Sequence, residues 1–204
     1  MAKLMRVLQL VLATSNAGKV RELRALLGDL PVRVETTDAW PDGPHDVTED
    51  APDLRGNARK KARAWHRHAG LAALADDTGL EVRALDGRPG VRSARFAGPN
   101  AGDDANCARL LRAMDGQADR RARFRTVAAL VDDDGSEHFF EGVCEGSITT
   151  ERRGEGGFGY DPLFQPEGRE RTFAQLDAET KNEMSHRGRA LRKLRAFLYE
   201  QFAP

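Results

Sequence analysis

The sequence predicts an α/β chain built on a mixed β-sheet, on three observations. Val7–Ala13 (VLQLVLA) is an apolar run that enters a short polar loop and then a helical apolar pattern. Phe124–Val131 and Glu137–Val143 are β-rich runs joined by Asp132-Asp133-Asp134-Gly135, a strong hairpin signal. Elsewhere strands and helices mix without strict βαβ alternation, which points to a mixed sheet in an α/β or α+β arrangement. The 204 residues suit one domain, or one domain with two lobes, and 40% hydrophobic residues are enough for a core.

The elements follow in order. Val7–Ala13 reads as a buried strand, and Thr14–Lys19 as a capping and turn segment. Val20, Leu23, Leu26 and Leu27 then fall at helical spacing. Val32–Thr36 is a second candidate strand. Trp40–Asp53, with three prolines, a glycine and several acids, reads as an exposed, mobile loop. Asn57 is a candidate cap for the next helix, whose apolar stripe is Ala58, Ala62, Trp65 and Ala69 and whose end is Gly70. Leu71–Ala75 is a short strand running into Asp76-Asp77-Thr78-Gly79, and Leu80–Leu85 a possible continuation. Arg88–Asn100 reads as loop. Asp104–Met114 is a helix with Cys107, Leu110, Leu111 and Met114 inward. Cys144–Thr150 extends the second hairpin strand. Gly154–Pro162 is the most glycine-dense stretch, and a terminal helix starts near Ser185 with Ala190, Leu191, Leu194, Phe197 and Leu198 inward.

Bulk properties exclude several classes. Thirty-two basic residues balance 32 acidic ones, so bulk electrostatic binding to nucleic acid or anionic membrane is not expected. Two cysteines without a CxxC or Cys/His cluster suggest neither a zinc site nor a disulfide framework. Lys3 and Arg6 precede the apolar Leu8–Ala13, but that run is too short for a signal peptide and Gln9 breaks it. No segment approaches the roughly 20 apolar residues of a membrane span. The expected location is the cytoplasm.

Five segments have the composition of chemistry. A strand feeding a loop into a helix N-terminus makes an anion site, because backbone N–H groups point at the loop. Lys19 follows Gly18 as in a P-loop, but Ala13 and Val20 stand where that motif needs Gly and Ser/Thr, so the segment is a different phosphate cradle or simply a capped helix. Asp76 and Asp77 end an apolar strand, where their side chains point to opposite faces. Magnesium takes one or two carboxylates together with substrate phosphates, and one of this pair could serve; a solvated turn is the alternative. Glu49 or Asp50 could complete such a site, and nothing local separates them. Lys61 is one of several bases on its helix. In the glycine loop, Phe158 and Tyr160 can offer a flat stacking surface and Asp161 an acceptor. Lys181 precedes Ser185-His186-Arg187, where Ser185 is a good N-cap and the two cations fall in the first helical turn, against the helix dipole.

The segments Thr14-Ser15-Asn16-Ala17-Gly18-Lys19, Asp76-Asp77-Thr78-Gly79-Leu80, Gly90–Gly98 (GVRSARFAG), Gly157-Phe158-Gly159-Tyr160-Asp161-Pro162 and Ser185-His186-Arg187 together closely resemble the inosine triphosphate pyrophosphatase family, from about residue 7 to 198. The resemblance implies a single nucleoside triphosphate pyrophosphatase domain, residues 1–204, of two α/β lobes around a long mixed sheet with the nucleotide in the cleft between them. It implies a homodimer, Mg²⁺, and hydrolysis of non-standard purine nucleoside triphosphates (ITP, dITP, XTP) to the monophosphate and pyrophosphate, cleansing the nucleotide pool. Thr14, Ser15, Asn16, Ala17, Gly18 and Lys19 match its triphosphate loop. Glu49, eight positions before Asn57, matches its metal-binding glutamate. Asp77 matches its catalytic base and metal ligand, and Lys61 a lysine of its active-site cleft. Thr78 stands where a substrate-contacting serine is usual. Phe158, Gly159, Tyr160, Asp161, Lys181, His186 and Arg187 match its base-binding set. The chain departs from the family pattern at Leu54, Gly56, Arg92 and Phe96.

The implied selection has a physical form. Hypoxanthine and xanthine carry a 6-oxo acceptor where adenine carries an amino donor. Donors such as Arg187 or Lys181 pair with the oxo group, and an unpaired buried donor opposite adenine costs roughly 1–3 kcal/mol. A Maf-like pyrophosphatase preferring other nucleotides and a non-catalytic nucleotide-binding protein are the rival classes. The Ser-His-Arg and Phe-Gly-Tyr-Asp blocks weigh against the first, and Lys19, Glu49 and Asp77 against the second.

Overall fold

The structure, a computed structural model, describes residues 7–202; Lys3 and Arg6 lie outside them. Among the described residues, seven strands form one mixed sheet in the order β2-β1-β3-β5-β6-β7, with β4 also paired to β3. Strand β1 (Leu8–Leu12) pairs parallel with β2 (Val32–Thr36) and with the start of β3 (Ala72–Val82). The short β4 (Pro89–Gly90) pairs antiparallel with β3, and β7 (Phe164–Pro166) antiparallel with β6 (Glu137–Ile148). Strand β5 (Arg121–Val131) is joined to β6 by the expected turn, in which Gly135 N–H donates to the Asp132 carbonyl at 3.1 Å. Both hairpin strands run longer than their apolar cores suggest. Among the described residues no helix is long and apolar enough to cross a membrane.

The chain divides into two compact units. The first holds the described residues up to Asp77, Val127–Glu141 and those from Ala190 onward; the second holds Thr78–Thr126 and Gly142–Arg189. In the first, strand periodicity builds two cores on opposite sheet faces. Leu8, Leu10 and Leu12 of β1, Ala72 and Leu74 of β3 and Ala128 and Leu130 of β5 pack with α1 (Ala17–Leu27) and α5 (His186–Phe202) through Leu23, Leu27, Leu191, Leu194 and Leu198. The alternate residues Val11, Ala13, Ala73, Ala75, Ala129 and Val131 pack with α2 (Leu54–Ala69) through Ala58, Ala62 and Trp65. The small alanines of β3 let α2 sit close to the sheet.

The second unit has an aromatic core. Phe124, Phe164 and Phe173 pack with Cys107, Leu110 and Met114 of α3 (Asp103–Ala113 and its cap), and the Phe124 and Phe164 rings meet edge-on at 4.7 Å. A short helix, α4 (Ala178–Met184), absent from the sequence expectation, precedes α5. Its cap is Asp177, which accepts from Thr180 N–H at 2.8 Å.

Three expectations change. The second helix starts at Leu54, because Asp53 Oδ1 accepts from Gly56 N–H at 2.7 Å; Asn57 lies inside the helix with its side chain engaged elsewhere. The strand around Asp76–Gly79 is unbroken, because its polar side chains find partners and need not turn out to water. The proline-rich Trp40–Asp53 loop packs on α2: Trp40 and His45 meet the Trp65 ring edge-on at 6.4 and 5.2 Å.

Candidate functional site

The alternation that builds the first unit's two cores also sorts its acids. Leu74 faces α1 and Ala75 faces α2, so Asp76 continues the α1 side and Asp77 the α2 side. Asp76 Oδ1 lies 2.9 Å from Lys19 Nζ on α1, with both side chains largely buried. Asp77 Oδ2 accepts from Asn57 Nδ2 on α2 at 3.0 Å, and its Oδ1 lies 3.9 Å from Lys61 Nζ. Two neighbouring carboxylates therefore serve two different lysines.

The structure separates Glu49 from Asp50 by their partners, as nothing local in the sequence does. Glu49 Oε1 lies 3.2 Å from Lys61 Nζ, so Lys61 holds Glu49 and Asp77 by one ammonium. Asp50 pairs with the exposed Lys60. Burial, foremost, pushes the Asp77 carboxyl up to about 6; Lys61 opposes this, Glu49 adds to it, the Asn57 bond opposes it and Asp76 adds to it. Asp77 is thus a carboxyl whose charge is incompletely compensated, which is the state a cation relieves. Among the described residues no three His, Cys, Asp or Glu side chains gather into a metal cluster. The donor set is instead two carboxylates held on one cation.

The loop ahead of α1 is organised by its own side chains. Thr14 Oγ1 accepts from Asn16 N–H at 3.2 Å, and Asn16 Oδ1 caps the helix by accepting from Lys19 N–H at 3.1 Å. Ser15 and Ala17 are exposed and Gly18 half-buried at this helix start, where backbone N–H groups carry partial positive charge. Thr78 belongs to the second unit, and its hydroxyl lies 2.6 Å from that of Thr126.

The second unit gathers the glycine loop, α4 and the start of α5. Asp161 is buried, and its Oδ2 accepts from Phe158 N–H at 2.8 Å and Lys181 Nζ at 2.6 Å. Gly157 has φ +75°, and a Cβ there would fall 2.1 Å from Asp161 Oδ2; only glycine lets the loop close over that carboxylate. Gly159 N–H donates to Asp103 Oδ2 at 2.6 Å, a support that sequence reading missed because Asp103 is distant in the chain. Phe158 is 40% exposed, with Lys181 Nζ 4.9 Å and the Arg187 guanidinium 5.3 Å from its ring centre. Tyr160 is buried, and its hydroxyl donates to the Ser93 carbonyl at 2.8 Å. Of the two loop aromatics, only Phe158 offers a surface. His186 is buried and stacks on Phe124 at 4.5 Å, while Ser185 Oγ accepts from Gly188 N–H at 3.0 Å as the cap of α5. Arg187 is 5% exposed.

Comparison with known proteins agrees on one family. A model of the Ham1 family matches residues 10–197. The dITP/XTP pyrophosphatase of Desulforamulus reducens is 52% identical, covering 91% of this chain and 93% of that protein. The dITP/XTP pyrophosphatase of Porphyromonas gingivalis is 50% identical, covering 93% and 97%. Among solved structures, a HAM1 protein from Coxiella burnetii superposes with a TM-score of 0.89 at 40% identity, covering 95% of this chain and 99% of that one. The sheet order, the paired acids on β3 and these matches lead to one conclusion: the chain belongs to the Ham1 family.

Proposed function

We propose that this chain is a nucleoside triphosphate pyrophosphatase that hydrolyses dITP, ITP and XTP to the monophosphate and pyrophosphate, and so cleanses the nucleotide pool of non-standard purines. The observation that carries the reading is Asp77. It is buried, bracketed by Glu49, Asn57 and Lys61, and next to the Asp76–Lys19 pair at the helix-capping loop. The curated relatives named dITP/XTP pyrophosphatase support the substrate class.

Glu49 and Asp77 fit a hard divalent cation such as Mg²⁺, because both are oxygen donors already sharing one positive charge. Glu49 and Asp77 would hold such a cation, which would supply positive charge to offset the charge that builds on the leaving pyrophosphate. Asp77 accepts the proton of a water whose oxygen attacks the α-phosphorus; the bond from that phosphorus to the bridging oxygen breaks, and pyrophosphate leaves. Lys19 and Lys61 hold phosphate oxygens, with Thr14–Gly18 supplying hydroxyls and helix-start amides. Phe158 stacks on the base, while Lys181 and Arg187 at its ring donate to the 6-oxo group. Gly159, Tyr160, Asp161 and His186 hold that loop and helix start in shape, and Thr78 contacts substrate.

The homodimer and cytoplasmic location belong to the same reading. The deciding experiment is pyrophosphate release with Mg²⁺ from ITP, dITP, XTP, GTP and ATP. A clear preference for the first three is expected, and equal kcat/KM for ATP and ITP would overturn the base-selection scheme. Light scattering reports the oligomer; a monomeric mass would remove the dimer.

A further inference from the structure

Asn57 is fully buried inside α2, at 0% exposure. A buried amide must satisfy both of its ends. Its Oδ1 accepts from Ala51 N–H at 3.0 Å, and its Nδ2 donates to Asp77 Oδ2 at 3.0 Å. The two bonds fix which end is which, since only the NH₂ group can donate to a carboxylate and only the oxygen can accept from an N–H. Ala51 lies two residues after Glu49. One buried side chain therefore ties the segment that carries Glu49 to the carboxylate of Asp77.

Two neighbours on α2 complete the device. Lys61, four residues on and so on the same helix face, reaches the same two carboxylates. Gly56 makes the approach possible: a Cβ there would fall 2.6 Å from Ala51 Cβ. Any side chain at 56 would push the loop off the helix and lengthen the Ala51–Asn57 bond.

From this we infer that Asn57 is a positioning residue, which sets the spacing of Glu49 and Asp77 for a divalent cation and holds the rotation of the Asp77 carboxylate. The inference rests on the reading of that pair as a cation site. Asn57 is fully buried, with both ends of its amide engaged by protein groups, so it is assigned no direct contact with cation or substrate. It acts by fixing two ligands during folding, so that less ordering remains when the cation arrives.

The test is Asn57→Ala, read first on the nucleotide-free protein. Binding of Mn²⁺ is followed by the paramagnetic resonance of the unbound ion, and the Mg²⁺ concentration for half-maximal pyrophosphate release from XTP is measured alongside. Both midpoints are expected to rise about tenfold or more, with cooperative unfolding retained in EDTA. A Mn²⁺ shift smaller than about fivefold in a folded variant overturns the inference, since a merely structural asparagine would lower stability without moving ion affinity. If Asn57→Ala does not fold, Ala51→Pro is judged by the same criterion; it removes the N–H that bonds Oδ1 and leaves Asn57 and Asp77 in place. Wild-type protein that binds no Mn²⁺ also overturns it. Wild-type protein that binds Mn²⁺ but releases no pyrophosphate from ITP or XTP overturns the proposed reaction alone, and the Mn²⁺ comparison still decides the role of Asn57.

Discussion

The two units use a buried carboxylate in opposite ways. In the first, Asp77 stands near two other acids, and the Asn57 amide and Lys61 leave its burial only partly offset, so its carboxyl is pushed up to about 6. In the second, Asp161 is as deeply buried but accepts from the Phe158 amide and the Lys181 ammonium, both at short range. A carboxylate surrounded by donors is an anchor, and here it shapes a glycine loop. A carboxylate whose burial is only partly offset has a raised pKa, the state that a cation or a proton relieves. The supports differ to match. Asp77 sits on a central strand facing a helix, and Asp161 ties a loop to the middle of a short helix.

The sharpest way to break this contrast is Asp77→Asn. We expect turnover to fall by about a thousandfold, while metal-free stability above pH 6 rises by about 3 kcal/mol. The sign follows from the raised carboxyl. Between pH 3.8 and about 6 the folded state binds more protons than the unfolded one, so wild-type stability falls as pH rises through that window and stays lower above it. Asparagine has no such loss. Melting curves in EDTA from pH 4 to 8 should show the gap between variant and wild type opening up to pH 6 and then constant; a gap that does not change with pH contradicts the account of Asp77.

Asp161→Asn probes the anchor. Asparagine can still accept from Phe158 N–H, but the Lys181 ammonium loses its counter-charge. Stability should drop by about 1–3 kcal/mol, with KM rising more than kcat falls; an increase in stability like that of Asp77→Asn would erase the contrast. Phe158→Ala tests the exposed ring. KM for XTP is expected to rise about tenfold with stability changed by less than about 0.5 kcal/mol, and an unchanged KM would remove stacking from the scheme. The smallest effect is Tyr160→Phe, which loses the bond to Ser93. Chemical denaturation should register about 1 kcal/mol and the substrate preference should not move; altered ITP:ATP discrimination would put Tyr160 back at the base.

Much of this was legible in the chain. Strand β1, the capped loop, the DDDG hairpin and the terminal helix all lie within a few residues of where apolar periodicity and turn chemistry put them. The opposite facing of Asp76 and Asp77 followed from strand geometry alone. Misreadings came where a polar residue's partner is far away. For Asp76–Gly79 a solvated turn stayed open as an alternative because Lys19, Asn57 and Lys61 are remote in sequence. Asn57 looked like a cap because Asn is common there, and Asp53 had already taken that place. Tyr160 looked like half of a stacking surface until its hydroxyl found the Ser93 carbonyl.

By itself, the sequence determined the period-two and helical patterns, the turns and the motif order, because these depend on neighbours a few residues apart. It therefore settled the mixed α/β class and the residues worth watching. Only the tertiary structure decided which lysine each aspartate meets, that Lys61 reaches both Glu49 and Asp77 while Asp50 pairs with Lys60, and that Asn57 joins their two segments. The physical reason is that charge pairing and desolvation depend on distance through space. Packing α1 and α2 on opposite faces of one strand turned two adjacent identical residues into one partner of Lys19 and one buried acid beside Asn57 and Lys61.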